Sequence, residues 1–210
     1  MSWTQWRDEV FGDPYLVWHE GPDFTRLLSL VGTAPDEVAR MLTAGVAAGD
    51  PVAASSFAAL AGDGRAPEGA EALLLATVPD ATGTFLVRVA QALHALTGDE
   101  SWAAPVVSVL ASDEFWGVRI DAAMALSGFM PTAELIEALG RGVRDHEYLV
   151  RYHCANTLRR YAGRKRDISE LKLFEKISGP HDDEEETGIH RTARQEAADR
   201  LMADASRLLG

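Results

Sequence analysis

Two stretches decide the fold: Asp113-Glu-Phe-Trp116-Gly-Val118-Arg119-Ile-Asp121-Ala122-Ala123-Met124-Ala-Leu126 and Asp145-His-Glu-Tyr148-Leu-Val150-Arg151-Tyr-His153-Cys154-Ala155-Asn156-Thr-Leu158. They align without a gap at an offset of 32 residues. Asp meets Asp, aromatic meets aromatic, and Val, Arg, a small pair and Leu recur in register. A further copy, Ala193-Arg194-Gln-Glu-Ala197-Ala198-Asp-Arg-Leu201, follows 43 residues after the second. Fainter echoes are Ala59-Leu60-Ala61-Gly62 and Ala95-Leu96-Thr97-Gly98, which match Ala125-Leu126-Ser127-Gly128. Self-similarity at such a period marks an array of supersecondary units.

Inside a copy, Val118, Ala122, Ala125 and Leu126 fall on one helical face. Alanines let a neighbouring helix approach closely, and Val and Leu fill the gaps. One helix pair cannot bury that stripe, but a stacked neighbour can. Asp113 and Arg119, like Asp145 and Arg151, stand six residues apart. Each Asp is placed to cap the incoming helix, and each Arg to reach the next Asp, a polar ladder along the array.

Outward from these copies, apolar residues recur at i, i+3, i+4 and i+7, and period-2 alternation is scarce. The pattern predicts helices near 2–11, 23–31, 35–48, 51–61, 67–77, 83–97, 101–110, 115–129, 132–143, 147–162, 167–177 and 189–208. Start signals stand at Thr33-Ala34-Pro35, Thr132 and Asp167. The expected fold class is all-α.

Composition narrows the function classes. Hydrophobic residues make up 47% of the 210 and charged residues 25%, enough for a continuous core. No apolar run approaches the ~18–20 residues of a membrane span. The opening MSWTQWRDEVFGD carries acids early and no apolar core segment, so no secretory signal is expected and the cytoplasm is the expected location. A lone cysteine, Cys154, excludes an internal disulfide. Net charge is −12, carried mostly by residues 1–105, with 14 acids against 5 bases. Residues 141–176 reverse the sign, with 10 bases against 5 acids. An acidic whole disfavours nucleic acid, while Arg159-Arg-Tyr-Ala-Gly-Arg-Lys-Arg166 keeps that partner open. Seventeen Arg against three Lys, with abundant Ala and Gly, suggest a bacterial source of high GC content.

The D-x-x-[WY]-x-V-R-x-x-[AC]-A-x-x-L pattern resembles HEAT repeats, in particular the short HEAT-like repeats of bilin lyases. The resemblance is clear over 80–163 and extends over 35–208. It implies a right-handed α-α superhelix, an α-solenoid of about five to six helix pairs. Residues 1–34 would then be N-terminal capping helices with an aromatic cluster of Trp3, Trp6, Tyr15 and Trp18. Repeats would fill 35–178, an acidic loop 179–188, and a C-terminal capping helix 189–210.

The resemblance also implies that the second helix of each pair lines the concave face. By register that stripe is Gln91, His94, Asp121, Met124, His153, Asn156 and Arg160, with Glu196 and Asp199 beyond. Trp116 and Tyr148 sit at equivalent helix starts, as packing staples or as contacts for a partner. The run Asp182–Glu186 reads as a solvated loop, not a cation site, because contiguous acids do not converge. No metal-ligand spacing, cofactor fingerprint or nucleophile motif occurs. The leading expectation is a non-enzymatic module that binds another, basic protein, as an adaptor or an inhibitor of immunity type. Two alternatives come from the resemblance. One is a HEAT-fold alkylpurine glycosylase acting on DNA, using Ser112-Asp113-Glu114-Phe115-Trp116 and the arginine-rich segment 151–166. The other is a tetrapyrrole lyase or chaperone subunit.

Overall fold

The structure is a computed structural model that describes residues 1–164, 170–179 and 186–209, with the side chain of Trp18 also outside the description. The described residues hold thirteen α-helices, two short 3-10 segments and no strand. They form two compact units, Met1–Trp102 and Ala103–Gly210. Among the described residues no helix is long and apolar enough to cross a membrane.

The first unit runs α1 (Trp3–Phe11), α2 (Pro14–Glu20), α3 (Thr25–Val31), α4 (Pro35–Ala47), α5 (Pro51–Gly62), α6 (Ala70–Thr77) and α7 (Gly83–Thr97). Helices two apart in sequence touch, α4 with α6 and α5 with α7. Phe57, Leu60, Leu74 and Leu93 are buried between them. α1 docks through its aromatic rings: Trp3 and Trp6 are buried, and a Cβ on Gly45 would lie 2.7 Å from the Trp3 ring and 2.6 Å from Ala53. Asp50 ties the joint. It accepts the Trp3 indole N–H at 2.8 Å, pairs with Arg7 at 3.0 Å and caps α5 at the Val52 amide.

The sequence reading places no helix between 11 and 23. There α2 forms, started by the Asp13 cap and Pro14 and stopped by Gly21. Seven residues between two helix-ending glycines are too few for periodicity to register. Tyr15, in that helix, is exposed.

The second unit runs α8 (Ala103–Leu110), α9 (Trp116–Leu126), α10 (Ala133–Gly142), α11 (Tyr148–Tyr161), α12 (Leu171–Ser178) and α13 (Gly188–Ser206). α8 touches α10, α9 touches α11, and α11 touches α13. The repeated positions are equivalent in burial as well as in sequence. Ala122, Cys154 and Ala197 are all buried, as are Ala123, Ala155 and Ala198, and Leu126, Leu158 and Leu201. α11 is pinned to α9 by Thr157 and Tyr161, whose hydroxyls donate to the Ala123 and Leu126 carbonyls at 2.8 and 2.6 Å. α10 and α11 meet where Gly142 opposes Cys154; a Cβ there would lie 2.3 Å from Sγ.

The three arginines in register, Arg119, Arg151 and Arg194, are 6, 1 and 3% exposed. Arg119 pairs with the carboxylate of Asp145, which also caps its own turn at the Glu147 amide, 2.8 Å away. Arg151 donates to five carbonyls: Ile177 at 2.6 Å, Asp145 at 3.0 Å, His146 at 2.6 Å, Ser178 at 3.3 Å and Gly179 at 3.2 Å. Arg194 pairs with Glu186 and reaches the Asp145 carbonyl. Asp113 does not repeat the role of Asp145. It is exposed, and the turn before α9 is closed by Ser112, whose Oγ accepts the Glu114 amide at 3.3 Å. Thr132 caps α10 at the Leu135 amide, whereas α4 starts on Pro35 with no side-chain cap. Asp167 lies outside the described residues, as do residues 182–185 of the acidic run.

Candidate partner-binding face

α9 and α11 carry the same residue pattern, so their buried and outward arcs coincide by register. On α9 the outward arc begins with Trp116, Ile120 and Met124, spaced i, i+4 and i+8. Trp116 is 37% exposed and Met124 48%, while Ile120 is half-buried. Eight residues of helix make this an apolar ridge about 12 Å long. Phe115 packs tilted against Trp116 with centroids 4.7 Å apart and is 64% exposed, and Met130 is exposed beyond the far end. Carboxylates flank the ridge: exposed Asp113 and Glu114 precede it, and half-buried Asp121 follows Ile120.

The matching row on α11 is Tyr148, Tyr152 and Asn156, each half-buried. Tyr148 lies 6.1 Å from Tyr152 and 6.3 Å from Phe174, ring to ring, and the Arg151 guanidinium is 5.8 Å from its centroid. Burial and the neighbouring Tyr152 push its phenol up, against the opposing pull of Arg151. Trp116 and Tyr148 thus differ: the first is open to a partner, the second is packed into its own unit.

His153 is half-buried, and desolvation holds its imidazole below the usual range; the Asp121 carboxylate opposes that shift. The neutral ring is therefore favoured at this point of the face. Asn156 Oδ1 is buried with no hydrogen-bond partner. Arg160 is exposed. So Asp121, Met124, His153, Asn156 and Arg160 belong to one unit, on two touching helices. Gln91 and His94 belong to the first unit, on α7. Gln91 accepts from Arg88 at 2.9 Å, and His94 Nε2 lies 3.1 Å from Glu100 Oε1.

Sequence reasoning singled out neither Ile120 nor Tyr152, and it gave Arg194 no place in the polar ladder. The spacing of Trp116, Ile120 and Met124 was readable, but periodicity marks an apolar face without saying whether anything covers it. Arg194 stood in register with Arg151, 43 residues on.

Among the described residues no group of three or more His, Cys, Asp or Glu is placed to hold a metal ion. Cys154 is buried, which pushes its thiol far up and withholds the thiolate that covalent chemistry would need. No family model, no curated protein and no solved structure matches the chain.

Proposed function

We propose that this chain is a non-enzymatic protein-binding module of short HEAT-like repeats, an α-solenoid, that takes a basic partner segment on the outward arc of α9 and α11. One observation carries the reading: the ridge of exposed Phe115, Trp116 and Met124 with half-buried Ile120 between them, bordered by Asp113, Glu114 and Asp121. Exposed aromatic and methionine side chains are the residue types that supply binding energy when a partner desolvates them. The carboxylates beside them select a segment that pairs apolar anchors with Lys or Arg. The excess of acids over bases in residues 1–105 would attract such a partner at long range. The i-to-i+2 helix contacts inside each unit, and the equivalent burial of three repeat copies, support the stacked-repeat reading. An adaptor or an inhibitor of a cationic protein fits this face.

The test is affinity capture with the wild-type chain and two variants, Trp116→Ala and Met124→Glu, at low and moderate salt. A basic protein captured stoichiometrically by the wild type, weakened by salt and lost with both variants, supports the reading. Truncating a central anchor costs about 2 kcal/mol or more, roughly a thirtyfold loss of affinity. Capture that survives both substitutions refutes this face as the site. DNA captured by the wild type and lost with Trp116→Ala would favour the glycosylase-like alternative, since Asp113 and Trp116 are both exposed.

A further inference from the structure

The methionines of this chain fall into two groups by access to solvent. Met41 is buried in the core of the first unit, and Met202 on α13 is half-buried with its sulfur packed against Gly140. Met124 and Met130 are open, the second 65% exposed. Met1 is exposed too, but it lies in the other unit. Of the open pair, Met124 belongs to the partner-binding ridge itself, as the last member of the Trp116, Ile120 and Met124 row. A long side chain on a helix leans back over the turn before its own Cα. The Met124 thioether therefore lies towards Ile120, within the apolar row and open to solvent.

We propose that Met124 is a peroxide-sensitive modification site that closes this face to its partner. The proposal rests on the reading of the α9 ridge as the binding face. The sulfur attacks one oxygen of hydrogen peroxide, so that an S–O bond forms while the O–O bond breaks. Sulfur gives up two electrons, the proton of the attacked oxygen passes to the departing hydroxide, and water leaves. The product is the sulfoxide, whose oxygen is a strong hydrogen-bond acceptor on what was an apolar side chain. An apolar anchor seated there would bury that oxygen without a donor, which is unfavourable. The change is reversible: a methionine sulfoxide reductase returns the oxygen as water while two thiols become a disulfide. Exposure of Met124 admits both the oxidant and the reductase, and a seated partner would shield it from both.

The probe is a fluorescent synthetic peptide of leucine and lysine alone, about 18 residues long, with leucine at i, i+3, i+4 and i+7. It combines apolar anchors with positive charge, as the ridge and its carboxylates require. Its affinity for the full chain is read by anisotropy before and after dilute hydrogen peroxide at neutral pH, and mass spectrometry follows each methionine. Met124 should oxidise at least about tenfold faster than Met41 and Met202, because susceptibility follows exposure, and bound peptide should slow it. The treated chain should bind the peptide about tenfold more weakly, and reductases for both sulfoxide epimers should restore it. Each variant is judged by its own ratio of treated to untreated affinity. That ratio should stay near unity in Met124→Leu and fall as in the wild type in Met130→Leu. Met124 oxidising no faster than Met202 overturns the proposal, whatever the peptide does. Full oxidation of Met124 with unchanged affinity overturns it and leaves the ridge reading standing. An equal fall in Met124→Leu assigns the effect to another residue and overturns it as well. An untreated chain that does not bind the peptide, or binds it equally with Trp116→Ala, fails the ridge reading and takes this proposal with it.

Discussion

Arg151 joins the turn before α11 to the end of α12, and replacing it should unlock that joint. Arg151 is 1% exposed, and its guanidinium donates to carbonyls in two groups, Asp145 and His146 on one side, Ile177, Ser178 and Gly179 on the other. Desolvation and the neighbouring Arg194 both work against its charge, pulling its pKa down, while Asp145, Glu186 and Glu147 support it. A lysine keeps the charge but concentrates three donors on one nitrogen, so it can serve one group of carbonyls and not both. Hydrogen bonds to a charged group contribute about 1.5–3 kcal/mol each, and buried acceptors left unmade cost more. Losing two of the five, with partial relaxation, puts Arg151→Lys at about 3 kcal/mol. For a chain of this size that is a fall in melting temperature of roughly 6–12 °C. Arg151→Met, which strands all five carbonyls, should cost about 5 kcal/mol.

The assay is differential scanning calorimetry, with amide exchange to locate the loss in α12 and the start of α11. Arg160→Lys is the control, because Arg160 is exposed on the same helix. If Arg151→Lys melts within about 2 °C of wild type, less than 1 kcal/mol by the same scaling, the two-sided clamp is not what holds α12. A shift as large in Arg160→Lys would point to charge alone.

Gly142→Ala should destabilise by about 1–3 kcal/mol through overpacking on Cys154, and Cys154→Ala in the same chain should recover part of that loss, a coupling that urea melts of the double-mutant cycle would read. Gly45→Ala should free α1, since its Cβ would overlap both Trp3 and Ala53, and limited proteolysis would show early cleavage near residue 12. Native Cys154 should be inert to a thiol-disulfide reagent at pH 8 and react fully in urea; rapid native labelling would contradict its burial. His153 is held below its unfolded pKa, so the unfolded state binds the proton first. Stability from this group is therefore complete above ~6.5 and declines as pH falls below it, levelling off once the folded ring also protonates. His153→Gln should flatten that slope, and an unchanged slope would place the titrating group elsewhere.

How much was legible depends on what fixed each residue. Ala122, Cys154 and Ala197 are buried at equivalent positions, with Gly142 close over Cys154, so the constraint on size repeats with the unit and the period shows. Arg119 and Arg151 repeat because each spans from its own helix to a later turn, whereas Arg194 reaches back to Glu186 and the Asp145 carbonyl. Asp113 looked like a member of that ladder by spelling alone. Asp145 is anchored by Arg119 from the preceding copy, whereas Ser112 already closes the turn before α9. α2 was hidden because its seven residues make fewer than two full turns, too short for a repeating apolar pattern, although Asp13 and Pro14 spelled a helix start.

Helical position also separates what stabilises this chain from what a partner would read. On α9 and α11 the arc of Arg119, Ala122, Ala123 and Leu126, with its copy at Arg151, Cys154, Ala155 and Leu158, is spent on neighbouring helices. The opposite arc keeps no such pattern from copy to copy. Trp116, Ile120 and Met124 become Tyr148, Tyr152 and Asn156, and then, 43 residues further, Arg191, Gln195 and Asp199. Packing cannot explain a row that passes from apolar to polar while the buried row stays constant. Substitutions along the buried arc should therefore lower stability and, through it, all binding alike. Substitutions at Trp116 or Met124 should leave the unfolding free energy within about 0.5 kcal/mol of wild type, as surface changes do, and act on binding alone. If Met124→Glu instead destabilises as Leu126→Ala would, the ridge is part of the core and the partner-binding reading of α9 fails.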